Sequence, residues 1–196
     1  MDHPVCVLAL GEERRRAIET LARNHYTHSV PSGKAHYLLH GSTIVVFAIP
    51  ANKNIGPFLL GVPSCVWELS RLWAPDGHSK NALTEAVAAA VAVFKRQERS
   101  CVALVSYADP NIGHRGGIYR AASWYSCGQC EEGRYYMDAQ GQVVARRKFH
   151  SGTRALRKAE IEALGYREVR RPGKHRFAKG LTRWARKQTR ERFLNA

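Results

Sequence analysis

The stretch from Cys65 to Ala108 constrains the fold more than any other part of this chain. It reads "CVWELSRLW", a turn "APDGH", then "SKNALTEAVAAAVAVFKRQ", then "SCVALVSYA". The outer segments are apolar runs of strand length, the first ending at Pro75 and the last bounded by "DP". Between them lies an alanine-rich stretch long enough for about four helical turns. Its apolar face is broad, and Ser79 or Asn81 stands where an N-cap is needed. A strand, a helix and a second strand in this order require a sheet with a helix on its face.

The flanks add hairpins and short helices. "EERRRAIETLARNHY" has helical spacing at Ala17, Ile18, Leu21 and Ala22, with its acids early, as the helix dipole prefers. "HYLLHGSTIVVFAIP" predicts a β-hairpin around "HGS", and "ANKNIGPFLLGVPS" reads as loop. "GGIYRAASWY" predicts a short helix and "RYYMDAQGQVVARRKFH" a second hairpin turning at "AQGQ". "TRALRKAEIEALGY" predicts a helix with Thr153 as N-cap and Gly165 as C-cap. "REVRRPGKHRFAKG" reads as a third hairpin around Pro172-Gly173, and "LTRWARKQTRERF" as a basic tail or helix. The whole predicts an α+β fold: a mixed, mostly antiparallel sheet flanked by helices, with a basic C-terminal extension.

Charge is unevenly placed. The 196 residues carry a formal net charge of +15. From Arg146 onward there are 17 Lys/Arg against four Asp/Glu, while the first 145 residues hold 14 bases and 12 acids. A near-neutral body, residues 1–145, therefore carries a basic region, 146–196, expected to complete the fold and to contact DNA. His150, Tyr166, His175, Phe177 and Trp184 are interleaved with the cations and can stack on bases. No apolar run approaches the ~20 residues of a membrane span, and the N-terminus lacks a signal-peptide layout. Five cysteines, an odd number, suit reduced thiols in a cytoplasmic protein rather than a disulfide framework.

The central unit, "VWELSRLWAPDGHSKNALTEAVAAAV" followed by "CVALVSYAD" and "GGIYRAASW", resembles the middle of the GNAT acyltransferase fold. The resemblance implies a loop and helix holding a pantetheine pyrophosphate, and a short helix bearing a catalytic tyrosine, here Tyr119. The glycine-rich turn of that family is replaced by "PDGHSKNA", where Lys80, Asn81 and the helix N-terminus can hold an anion.

Longer strings, "NHYTHSVPSGKAHY", "IPANKNI", "VWELSRLWAPDGHSKN" and "SYADPNIGHRGGIYRAASW", resemble the phage Mom-type DNA modification proteins. That resemblance implies modification of adenine N6 in double-stranded DNA by a carbamoylmethyl group, blocking restriction enzymes in the host cytoplasm. It also implies an iron requirement, although no H-x-D or comparable ligand spacing displays one. The implied donor is a small molecule or a carrier-linked group: acetyl-coenzyme A by fold, an aminoacyl carrier as its rival.

Adenine N6 is a weak nucleophile, so the base must be flipped out, a proton moved and donor charge stabilised. His25 and Tyr26 can relay protons and stack on the extruded base. Asp109 can act as base or orient the amine, or form an Asx-turn, since asparagine-like turns favour this position. Tyr119 is an acid tyrosine or a core residue. Gly116 and Gly117 permit close backbone approach or a tight turn. Arg71 reaches the donor or pairs with Glu68. Ser32 and Lys34 in "SVPSGK" are candidate phosphate clamps, as are Arg170, Arg171, Lys174, His175 and Arg176. Tyr26, Asp109 and Tyr119 are expected to line the cleft for adenine. Cys127 and Cys130 form one C-x-x-C, which is half a zinc site without a second pair. Two rival functions are a non-catalytic DNA-binding protein on a degenerate acyltransferase fold, and an acetyltransferase for a basic protein, which a +15 chain repels.

Overall fold

The computed structural model describes residues 4–151 and 154–194. In chain order the elements are β1 (Cys6–Leu8), α1 (Gly11–Asn24), β2 (Ala35–His40), β3 (Thr43–Ala48), α2 (Ile55–Leu60) and β4 (Val66–Trp73). Then follow α3 (Ala82–Gln97), β5 (Ala103–Ala108), α4 (Gly117–Ala121), β6 (Tyr125–Gln129), β7 (Gly133–Met137) and β8 (Val143–Ala145). The chain closes with β9 (His150–Ser151), β10 (Arg154–Ala155), α5 (Lys158–Ala163), β11 (Arg167–Arg171), β12 (His175–Gly180) and α6 (Arg183–Phe193). No described helix is long and apolar enough to cross a membrane.

The chain divides into two compact units. Unit 1 comprises residues 1–108, 116–128 and 176–196, and unit 2 comprises 109–115 and 129–175. Basic C-terminal residues belong to both.

Unit 1 is built on a seven-stranded sheet in the order β1-β2-β3-β4-β5-β12-β6. The pairs β1–β2, β2–β3 and β3–β4 are antiparallel, whereas β4–β5 is parallel. That parallel pair requires a crossover, and α3 supplies it. Every residue of β3 is buried, because helices cover both faces of the sheet. Val45 and Phe47 face Ala86, Val87, Ala90 and Phe94 of α3, whereas Ile44 and Val46 face Ala17 and Leu21 of α1. Val66, Ala103, Val105 and Ala178 pack with Leu59 of α2 and Ala185 of α6.

Unit 2 holds the three-stranded sheet β11-β7-β8 and the two-residue ladder β9–β10. Tyr136, Phe149 and Ile161 form its small core. Asp138 closes the β7–β8 turn by accepting the N–H groups of Gln140 and Gln142 at 3.0 and 2.8 Å.

Four expectations are corrected. Residues 55–60 are helix, not loop: Pro57 lies in the first turn of α2, where its missing N–H costs no bond, and Gly61 ends the helix at φ +79°. β11 and β12 do not form a hairpin. β11 pairs with β7 of unit 2, while β12 enters the large sheet between β5 and β6. α5 starts at Lys158 with Arg157 as its N-cap; Thr153 lies outside the described residues. Gly165, at φ +85°, does follow the helix end as expected. Finally, Asn81 occupies the N-cap of α3 but its side chain makes no capping bond.

Candidate active site at the end of the β4–β5 ladder

The β4–β5 ladder runs from Val66↔Ala103 to Leu69↔Ser106 and ends there. β4 continues to Trp73 and β5 only to Ala108. On its other edge β4 pairs with β3, but Val46↔Arg71 is followed by Phe47↔Leu69, so Ser70 is an extra residue in a β-bulge. Ser70 Oγ donates to Val46 O at 3.2 Å. Bulges bend a strand and re-aim its side chains, and this one lies where β4 parts from β5.

Ser106 is fully buried in an otherwise apolar strand. Its Oγ lies 2.8 Å from Leu69 O and 2.7 Å from Tyr119 Oη. A carbonyl only accepts, so the single Ser106 hydrogen goes to Leu69 O and Tyr119 donates to Ser106 Oγ. Burial, with Tyr26 and Glu68 adding to it, pushes the Tyr119 phenol up to about 12. Tyr119 is therefore protonated at neutral pH.

Three contacts place this phenol. Its ring stacks on Phe177, centroids 5.0 Å apart, and tilts against Trp124 at 5.4 Å. Gly116, the N-cap of α4 at φ +76°, makes room for Phe177: a Cβ there would lie 2.1 Å from Phe177 Cζ. Gly117, by contrast, faces open space, so close approach explains only the first glycine of the pair. At the other end of α4, Lys179 Nζ donates to Ala122 O at 2.6 Å, and burial lowers its pKa.

His25 and Tyr26 follow α1. His25 is buried; its Nδ1 lies 2.9 Å from Thr27 Oγ1 and 3.2 Å from Thr27 N, and Thr27 Oγ1 in turn donates to Ser29 O at 3.3 Å. Its ring lies 4.4 Å from that of Tyr26, which is 44% exposed. Arg71 clamps this loop onto β4: Nε and Nη2 donate to Ser29 O and Oγ at 2.8 and 3.1 Å, and Nη1 donates to Ser70 O at 2.6 Å. These bonds make Arg71 a positioning residue for the loop rather than an arm extended toward a donor.

Other sequence candidates lie elsewhere. Lys80 and Asn81 are exposed at the start of α3. Lys34 pairs with Glu98 at 2.5 Å and lies over Trp67, so it is not a free phosphate clamp; Ser32 is exposed nearby in sequence. Glu98 also meets His36 at 2.7 Å, and these partners hold its carboxyl below the usual range. Arg176 stacks over Phe58 at 4.1 Å, within unit 1.

Asp109, Arg170, Arg171, Lys174 and His175 belong to unit 2. Asp109 caps a short 3-10 turn: Oδ1 accepts from Asn111 N at 3.0 Å and Asn111 Nδ2 at 2.9 Å, and Oδ2 lies 3.5 Å from Lys174 Nζ. Burial alone raises this carboxyl, but Asn111 and Lys174 outweigh it and hold it below its ordinary value. The turn role is thus realised through Oδ1, while Oδ2 faces the Lys174 ammonium. Arg170 stands opposite Arg134 across β11–β7, and Arg171 opposite Gly133.

No three His, Cys, Asp or Glu side chains converge among the described residues, so the implied iron has no fitting ligand set there. Cys127 is buried, and burial pushes its thiol up to about 12, which suits an inert core cysteine. Ser106 and Lys179 were not picked out by sequence, and Phe177, expected to stack on bases, is instead fully buried against Tyr119. The one available signal was Ser106, a small polar residue set in the apolar run "VALVSYA".

The sequence profile of the Mom protein family matches residues 12–195. No curated protein matches the chain. Among solved structures, a Bacillus subtilis acetyltransferase in complex with CoA is 8% identical, with 91% of this chain and 99% of that chain covered and a TM-score of 0.47.

Proposed function

Since the chain belongs to the Mom protein family, a family of phage DNA modification proteins, we propose that it is a transferase acting on adenine N6 of double-stranded DNA. The added group is of the carbamoylmethyl type, and it protects the DNA from host restriction. The observation that carries this reading is the Tyr119–Ser106–Leu69 chain at the end of the β4–β5 ladder. A protonated phenol held in place by ring stacking can exchange its bond to Ser106 Oγ for one to the donor's leaving atom and protonate it as the N6–carbon bond forms, the N6 proton passing to water.

The remaining roles follow from exposure and reach. Tyr26, exposed and steadied by His25, offers a ring on which an extruded adenine stacks. The donor is an acyl- or aminoacyl-type compound: acetyl-coenzyme A is the candidate by fold, but it would leave an N6-acetyl group, whereas an aminoacyl carrier brings the nitrogen that a carbamoylmethyl product contains. Among the described residues the β4–β5 ladder stops at Leu69, and a strand edge beyond a ladder accepts the amides of an extended arm. Lys80 and the first turn of α3 are candidate holders of the donor's phosphates. Asp109 holds its turn rather than moving the N6 proton.

The test is nucleoside mass spectrometry of DNA from cells making the wild type or Tyr119→Phe. A modified adenine with the wild type and its loss in the variant supports the proposal. Unmodified DNA with the wild type would instead favour a non-catalytic DNA-binding protein, the reading that the "PDGHSKNA" loop motivates.

A further inference from the structure

The helix α6 carries a charge pattern that its own stability does not explain. Ala185 and Thr189 face inward, Ala185 into the cluster built around Leu59 of α2. At 100° per residue Arg183, Lys187 and Arg190 lie on the opposite side and Arg186 on its flank, all exposed. These cations are neighbours at i,i+3 and i,i+4 spacings, where like charges repel. Arg183 and Arg186 also fall in the first turn, which contains no acid, against the helix dipole. The single acid of α6, Glu191, lies 3.8 Å from Lys187 and offsets only one of the four. A helix that opposes itself in this way is arranged for an external anion.

We propose that this outward stripe of α6 binds the sugar–phosphate backbone of duplex DNA and supplies a large, sequence-independent part of the affinity. The inference rests on the proposed function for the identity of the polyanion. The stripe spans about 10 Å of helix axis, a length over which a DNA strand presents several phosphates at about 3.4 Å of rise each. An anionic membrane fits less well. Interfacial helices bind by sinking an apolar face, and α6 has already buried its inward face in unit 1.

The experiment uses the full chain and a duplex oligonucleotide, with affinity measured over a salt series. Replacing Arg183, Arg186, Lys187 and Arg190 together by Gln should make the plot of log affinity against log salt shallower by about three to four, near 0.9 per lost phosphate contact. An unchanged slope overturns the proposal. A second variant, R183K/R186K/R190K, keeps the charges and should keep the slope; if it loses as much as the Gln variant, packing rather than charge is responsible and the idea fails. Vesicles containing phosphatidylserine form the third arm. Wild-type binding to them that the Gln variant loses, with duplex binding unaltered, assigns the stripe to lipid and overturns the proposal. Failure of the modification reading is seen separately, as unmodified adenine with wild-type protein, whatever the salt slope.

Discussion

The end of β5 and the turn that follows it carry two polar side chains three residues apart, Ser106 and Asp109, and they are used in opposite ways. Ser106 passes its hydrogen to Leu69 O and receives one from Tyr119, so the chain of bonds ends on a phenol with an exchangeable proton. Asp109 is closed: one oxygen serves Asn111 twice and the other faces Lys174. A polar group near a strand end is thus not a reactive group by virtue of position. What differs is the partner: Ser106 is bonded to a phenol that can exchange this bond for one to a bound donor, whereas Asp109 is bonded to a backbone N–H, an amide and a cation.

The contrast is most strongly tested at Tyr119. Tyr119→Phe keeps the ring stack on Phe177 and removes the proton, so modification should fall at least ~10²-fold while melting and DNA affinity hold. Near-normal product by mass spectrometry breaks the comparison at its active end. Gly116→Ala comes next: a Cβ at positive φ, driven into Phe177, should cost about 2–3 kcal/mol by denaturant unfolding and shift Tyr119 with it. Ser106→Ala removes the donor to the buried Leu69 carbonyl and should cost about 1–2 kcal/mol, with modification reduced less than by Tyr119→Phe.

Asp109→Asn should do least. Asparagine forms the same turn, and a partly exposed ion pair is worth under about 1 kcal/mol. Product formation should stay within about tenfold of wild type, below the range of a lost general base. The depressed Asp109 pKa gives stability that is complete above the ordinary carboxylate value and lost as pH falls through the lower folded one. The variant should therefore lose that small contribution, under about 1 kcal/mol, at neutral pH, converge with wild type in acid, and so show a flatter acid limb. A collapse of activity in Asp109→Asn with folding intact would reverse the comparison.

Periodicity made much of unit 1 legible. The β2–β3 hairpin, α3 and β5 follow from apolar spacing because their burial is decided locally, two faces of a strand or one stripe of a helix. α2 was hidden by Gly56 and Pro57, residues that break a helix interior yet are tolerated in its first turn. The separation of β11 from β12 was illegible because "RPGKH" has the chemistry of a hairpin turn, whereas the partners of both strands are distant in sequence. The site divides in the same way. Tyr119 came from the family resemblance, but its partners Ser106 and Phe177 emerge only when β12 and α4 are brought together. Arg71 and Lys34 look like anion binders in sequence and are engaged by Ser29 and Glu98 in the fold.

The position of β12 also sets a schedule for biosynthesis. This strand lies between β5 and β6, although β6 ends at Gln129 and β12 begins at His175. During translation, β5 and β6 leave the ribosome well before the strand that joins them, so both present open edges until β12 emerges. Phe177 arrives with that last strand, and with it the surface on which Tyr119 rests. A ribosome halted before residue 175 therefore releases a chain with every hydroxyl of the relay but no platform to aim it, and with two strand edges for chaperones to cover.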